Sequence, residues 1–184
     1  FPSNTYQRIA AATDYDTGSA FPPYLDFRDG TTYTTNTDNF LVTNSINFST
    51  GAGATDKMTV WAGVTKQSDT TTGMLAELSV ELGANTGSFL FSMPTGSAAN
   101  TFNFVSRGTA EASNFLANQF IAPVTGVITG IADISGDINT TRKNGALVQT
   151  VTTDQGTGNY GNYPLYLGMR AGTSLPFQGV IYSL

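Results

Sequence analysis

The sequence predicts an all-β domain: an antiparallel two-sheet β-sandwich of the jelly-roll kind. Three observations carry that expectation. Roughly one residue in six is Thr, and Gly and Asn are frequent while Lys and Glu are scarce, a balance that favours strands and tight turns over helices. From Asn39 onward, strand-sized segments follow one another, each bounded by Gly, Asn, Asp, Ser or Pro. No helical segment lies between them to cover parallel strands, so two antiparallel sheets packed face to face are expected.

Taken in order, residues 1–37 are polar and broken by Pro2, Pro22, Pro23 and Asp29-Gly30. They read as an irregular arm or lead-in that reaches another subunit or the rest of a larger assembly, with one short strand at Tyr24 to Phe27. Residues 38–184 form the sandwich. Its strands are expected near Phe40–Asn44, Ser45–Ser49, Lys57–Lys66, Gly73–Leu82, Ser88–Met93, Thr101–Ser106, Gln119–Pro123, Thr125–Ser135, Ile138–Lys143, Ala146–Val151, Leu165–Arg170 and Phe177–Leu184. Lys143-Asn144-Gly145-Ala146 is the clearest hairpin, because Asn-Gly supplies the two positive-φ residues of a type I′ turn. Thr109 to Asn118 has only a rough apolar stripe at Ala110, Ala112, Phe115 and Leu116, which reads as a loop with one helical turn. No repeat of fixed period points to a propeller or β-helix.

A chain of 184 residues and 19.4 kDa supports one sizeable core. Only 11% of its residues are charged, the net charge is −5 and the pI is about 4.4. No basic footprint exists for nucleic acid or anionic lipid, and no apolar run is long enough for membrane insertion. The absence of His and Cys removes His-based triads, Cys nucleophiles, disulfides and the usual zinc ligands. The start at Phe1, the end at Leu184 within a strand pattern and the lack of a signal peptide read as part of a longer or processed polypeptide, truncated at its C-terminal strand.

Several phrases carry a family resemblance. Leu25-Asp26-Phe27-Arg28-Asp29-Gly30 followed by Asp38-Asn39-Phe40-Leu41 and Ile46-Asn47-Phe48 makes an opening. Asp56 to Val64 resembles the strand that begins the main sheet, Gly130 to Asp137 the middle, and Arg142 to Gly145, Gly158 to Arg170 and Pro176 to Tyr182 the close. Together they resemble the laminin-G-like, concanavalin-A-like sandwich domains of bacteriophage virion proteins. The resemblance implies a virion component, a homo-oligomer in a fibre, tail or surface protein, whose partners are other virion proteins and host surface polysaccharide. The alternative is a purely architectural capsid-decoration or tail subunit.

Glu77-Leu78-Ser79-Val80-Glu81 resembles the Glu-x-Asp-x-Glu strand of concanavalin-A-like retaining glycosidases, whose two Glu act across the scissile bond. Ser79 stands where those enzymes carry Asp. Strand alternation instead makes Glu77 and Glu81 solvent-facing, over buried Ala76, Leu78, Val80 and Leu82. With no His to tune near neutral pH, and with Lys57 and Lys66 expected to be solvated at strand ends beside Asp56 and Asp69, the domain reads as non-catalytic. A glycosidase is the second alternative.

Glycan binding needs an aromatic ring on an open polar face. Parity places Val60, Ala62 and Val64 on one side of their strand and Trp61 on the other, with Asn103 opposite to Phe102 and Phe104. If the strands neighbour one another, Trp61, Glu77, Glu81, Asn103 and Arg107 share one face, the competing reading being a buried Trp61. Tyr160 and Tyr163, alternating with Asn159 and Asn162, are a further candidate contact surface, or else tyrosines capping the sandwich edge. No cofactor is expected. The one candidate is calcium at Asp133 and Asp137, whose turn puts oxygen-bearing side chains at alternate positions, against the ordinary reading of an Asp-rich turn. The sequons at Asn47 and Asn139 matter only in a eukaryotic secretory pathway.

Overall fold

In the longest segments, residues alternate between an apolar and a polar side, the period of a half-buried strand. The computed structural model describes residues 24–27, 40–93, 101–116 and 118–184. In chain order the strands are β1 (Leu25–Asp26), β2 (Leu41–Val42), β3 (Ile46–Asn47), β4 (Lys57–Lys66), β5 (Met74–Leu78), β6 (Ser88–Ser92), β7 (Phe102–Arg107) and β8 (Glu111–Leu116). They continue with β9 (Val124–Asp133), β10 (Ile138–Lys143), β11 (Ala146–Val151), β12 (Asn162–Tyr163), β13 (Leu165–Leu167) and β14 (Gly179–Ser183).

Every strand pair is antiparallel. The front sheet has the order β1-β14-β4-β9-β10-β11 and the back sheet β2-β13-β5-β6-β7-β8, with β12 and β3 pairing as a separate ribbon. Among the described residues the helical structure is a single 3-10 turn at Gly51–Gly53. Sequence and structure therefore agree on an all-β antiparallel sandwich. The short strand expected at Tyr24 to Phe27 pairs with β14 and delivers Phe27 into the core, which ties the lead-in to the sandwich. The rest of the lead-in lies outside the described residues.

The core lies between the two sheets. Val60, Ala62 and Val64 of β4 with Ile128 and Ala132 of β9 face Leu78 of β5, Phe89 and Phe91 of β6, and Phe102 and Phe104 of β7. The aromatic rings interlock, Phe91 to Phe104 at 4.8 Å and Phe102 to Phe120 edge-on at 5.8 Å between centroids, the offset and edge geometries that aromatic quadrupoles prefer. Gly130 makes room for this cluster: a Cβ there would lie 2.5 Å from the Phe104 ring.

Asparagines tie the sheets where apolar contact runs out. Asn139 Nδ2 on β10 donates to Phe104 O and Ala112 O of the back sheet, at 3.1 and 3.0 Å. Reciprocally, Asn114 Nδ2 on β8 donates to Asn139 O and Gln149 O of the front sheet. Both side chains are buried, where donors must find partners.

Three expected elements differ. Thr109 to Asn118 is not a helical loop, since it contains β8. Ala112 and Asn114 point inward while Glu111, Ser113 and Phe115 are exposed, and the inward Asn114 hides the alternation because its role is the inter-sheet bond. Gln119 to Pro123 is not a strand; Ala122 N donates instead to Asp69 Oδ2 at 2.8 Å. The strand expected over Gly73–Leu82 ends at Leu78, because Ser79 adopts φ 133, a conformation that L-residues rarely hold and that turns the chain out of the sheet.

Candidate functional site

The two sheets present outer faces of different character. On the front sheet, register sets Trp61 of β4 beside Thr129 of β9, and Thr129 beside Arg142 of β10. Trp61 keeps 49% of its surface exposed, so the parity reading of an outward Trp holds over the buried one. Around this row lie Thr59, Ile131 and Thr140 on one side and Gly63 and Val127 on the other. Gly63 makes room for Ser183, whose Oγ would lie 2.8 Å from a Cβ at that position. Further across, Tyr182 Oη, Thr65 Oγ1 and Thr125 Oγ1 form a hydroxyl chain, with contacts of 3.0 and 2.6 Å.

The outer face of the back sheet is covered over β5, β6 and β7 by its own chain, with Phe115 of β8 left exposed at the edge. Glu77 lies on that face, yet it is buried rather than solvent-facing, which corrects the alternation argument. Its Oε2 accepts from Arg170 Nε at 2.8 Å; its Oε1 accepts from Arg170 Nη2 at 3.2 Å and from the Leu82 backbone N–H at 2.7 Å. The chain after Ser79 folds back so that Leu82 joins Met74, Leu90 and Val105 in a second small core, with Leu175 against it. Arg107 Nη1 holds this loop by donating to Leu82 O at 2.8 Å and Gly83 O at 2.5 Å. Burial keeps the Glu77 carboxyl above its ordinary range, although Arg170 and the Leu82 N–H pull the other way. Val80, expected to be buried, is 48% exposed and Glu81 is exposed on the same loop.

The expected common face therefore does not form. Trp61 belongs to the outside of the front sheet, whereas Glu77, Asn103 and Arg107 lie on the outside of the back sheet, with Glu81 on the loop that covers it. Asn103 is 8% exposed and its Oδ1 accepts from Ser113 Oγ at 2.9 Å. The tyrosine loop is also structural. Tyr160 is fully buried with its hydroxyl 2.7 Å from Ser106 Oγ, and burial pushes its phenol up to about 12. Tyr163 is half-buried and donates to Thr86 O at 2.9 Å.

The Asp133 turn is occupied by the protein's own donors. Asp133 Oδ2 accepts from Lys57 Nζ at 2.5 Å, and its Oδ1 accepts from the Gly136 N–H at 2.9 Å and Ser135 Oγ at 3.2 Å. These contacts, Lys57 foremost, hold its carboxyl below the usual range. Asp137 Oδ1 accepts from the Gln155 N–H at 2.9 Å. Among the described residues no group of three or more His, Cys, Asp or Glu is placed to share a metal ion.

Neither Lys expected to be unperturbed is so. Asp133 raises Lys57. Lys66 is fully buried and paired with Asp69, and burial lowers it despite that partner. The element Arg142 adds beside Trp61 was missed because it needs the pairing of three strands distant in sequence, which no single segment discloses.

The architecture is that of laminin-G-like and concanavalin-A-like β-sandwiches. No protein-family model matches the chain, and no curated protein matches it in sequence. Among solved structures it is similar to the CBM40 of the Ruminococcus gnavus IT-sialidase bound to α2,3-sialyllactose, at 20% identity and TM-score 0.54, covering 77% of this chain and 88% of that one. It is also similar to the mouse laminin alpha1 chain domains LG4-5, at 12% identity and TM-score 0.59, covering 79% of this chain and 38% of that one. A heptameric SAP-like pentraxin of Limulus polyphemus gives 13% identity and TM-score 0.60, covering 80% of this chain and 69% of that one.

Proposed function

We propose that this is a non-catalytic glycan-binding domain of a bacteriophage particle, presenting the outer face of its front sheet to host surface polysaccharide. One observation carries the reading: Trp61 stands 49% exposed on an open sheet face, while the 79–87 loop packs over the middle of the other sheet's outer face and leaves Phe115 exposed on its edge strand. An exposed indole among threonines offers a stacking surface with hydroxyl partners around it, and exposing it without a ligand has no benefit for folding. The structural likeness to a carbohydrate-binding module supports the class of ligand. The particle context rests on the sequence resemblance to virion domains.

The domain is read as non-catalytic because the Glu77 side chain is fully buried and its carboxylate is held by Arg170 and the Leu82 N–H, out of reach of the sugar carbon that a glycosidase nucleophile must attack. A second reading, the architectural subunit, is favoured by the exposed Val127, Ile138 and Leu147 on the outer front sheet, which suit contact with another virion protein. A glycan array run with the wild type and Trp61→Ala tests the two. Binding to a defined sugar class, lost in the variant, supports the glycan reading. No binding to any sugar, together with particles destabilised by deletion of the domain, gives the architectural reading.

A further inference from the structure

We infer that the ligand of the Trp61 face is an acidic glycan, one sugar ring stacking on Trp61 while a carboxylate pairs with Arg142. The inference rests on the reading of that face as a glycan site and names the chemistry of its ligand. Of the cations among the described residues, each of the others is committed elsewhere. Lys57 pairs with Asp133 and Lys66 with Asp69. Lys143 lies 5.0 Å over the Phe120 ring and donates to Gln119 O. Arg107 holds the loop over the back sheet, and Arg170 holds Glu77.

Arg142 is different. Among the described residues the only hydrogen bond of its side chain is from Nη1 to the Gly145 carbonyl at 3.1 Å, and no carboxylate lies within ion-pair distance of it. The guanidinium is partly exposed, so its remaining donors are free for a planar, two-oxygen acceptor, the geometry a carboxylate offers.

Position makes the pair a site. Trp61, Thr129 and Arg142 are directly opposed on three adjacent strands. Strand spacing puts the first and last about 10 Å apart at their Cα atoms, and both side chains rise from the same face. A sugar lying on the indole has its ring hydroxyls over Thr129, and an exocyclic carboxylate directed along the row meets Arg142. A neutral sugar would gain the stacking and leave the guanidinium without its charge-matched partner.

The test uses calorimetric titration of the wild type, Trp61→Ala, Arg142→Gln and Arg142→Lys. The ligands are glucuronate-, galacturonate- and sialate-bearing oligosaccharides, each paired with its carboxyl-reduced counterpart. The wild type is expected to bind one acidic form about tenfold or more tightly than its reduced counterpart, a preference that falls with added salt. Arg142→Gln should bind the two forms alike, Arg142→Lys should keep only part of the preference, and Trp61→Ala should bind neither. Equal affinity of the wild type for both forms, or a preference unchanged in Arg142→Gln, overturns the acidic assignment and leaves the glycan reading standing. No binding to any form, on the array or by titration, overturns both.

Discussion

Arg170 grips Glu77 through two hydrogen bonds, Nε to Oε2 at 2.8 Å and Nη2 to Oε1 at 3.2 Å, while the same carboxylate takes the Leu82 N–H at 2.7 Å. One buried side chain thus fastens two separate stretches onto the back sheet, the loop after β5 and the turn after β13. Removing the acid leaves a guanidinium and a backbone donor without their acceptor in a dry setting, and such a loss costs more than the pair ever contributed. Glu77→Ala is expected to destabilise the fold by about 3 kcal/mol, the lower end for a broken buried pair, because the Arg170 side chain keeps 23% exposure. Glu77→Gln, which retains an acceptor for Leu82, should lose less. Urea unfolding of both variants checks the order; a Glu77→Ala protein as stable as the wild type would show that the latch does not hold the loop.

Lys66 supplies the pH prediction. Burial lowers its folded-state pKa from the ordinary 10.5, with Asp69 only partly opposing. Between the lowered value and 10.5 the unfolded chain binds more protons than the folded one, so stability rises as pH rises through that alkaline window. In Lys66→Met this rise should disappear. Unfolding free energies measured at intervals from neutral to alkaline pH for the two proteins give the comparison, and parallel curves would refute it. The general loss of stability as tyrosines ionise is common to both proteins and cancels in the difference.

Gly130 sets a packing limit. An added methyl at this position would meet the Phe104 ring at 2.5 Å, inside the aromatic cluster. Gly130→Ala is expected to cost about 1–3 kcal/mol through forced displacement of that ring. The melting temperature and the near-ultraviolet circular dichroism should both shift. An unchanged melting temperature would mean that the Phe104 ring moves freely, against the close packing of the cluster.

Tyr160 separates a structural tyrosine from a contact one. Tyr160→Phe removes the 2.7 Å bond to Ser106 Oγ and leaves that hydroxyl buried without a partner, an expected loss of about 1–2 kcal/mol. Glycan affinity should be unaffected. A Tyr160→Phe variant of native stability but weakened binding would return the tyrosine loop to the site.

The sequence disclosed the sandwich because most strands carry period-2 alternation and bracketing turns: Val60, Ala62 and Val64 against Trp61, or Asn144-Gly145, whose φ values of 49 and 79 are the left-handed pair the turn requires. It concealed β8, since an inward Asn114 looks polar to a pattern that counts apolar residues. The candidate site was legible only in part. Outward Trp61 followed from its own strand, but placing Glu77 and Arg107 beside it required knowing which sheet each strand joins. The burial of Glu77 depended on Arg170, a partner that only the folded chain brings to it. Arg142 became visible once the order of β4, β9 and β10 was known.

The inter-sheet bond of Asn139 bears on how the protein can be made. Asn139-Thr140-Thr141 is an acceptor sequence for N-linked glycosylation, and the Asn139 side chain is fully buried with its amide given to Phe104 O and Ala112 O. A sugar chain attached as the polypeptide emerges would stand where β7 and β8 must close against β10. Secretion from a eukaryotic cell should therefore yield unfolded or unmodified protein at this position and no folded glycoform, whereas Asn47, exposed on the surface, tolerates the same attachment. The ability to fold is in this way tied to Asn139 reaching the closing sheets unmodified.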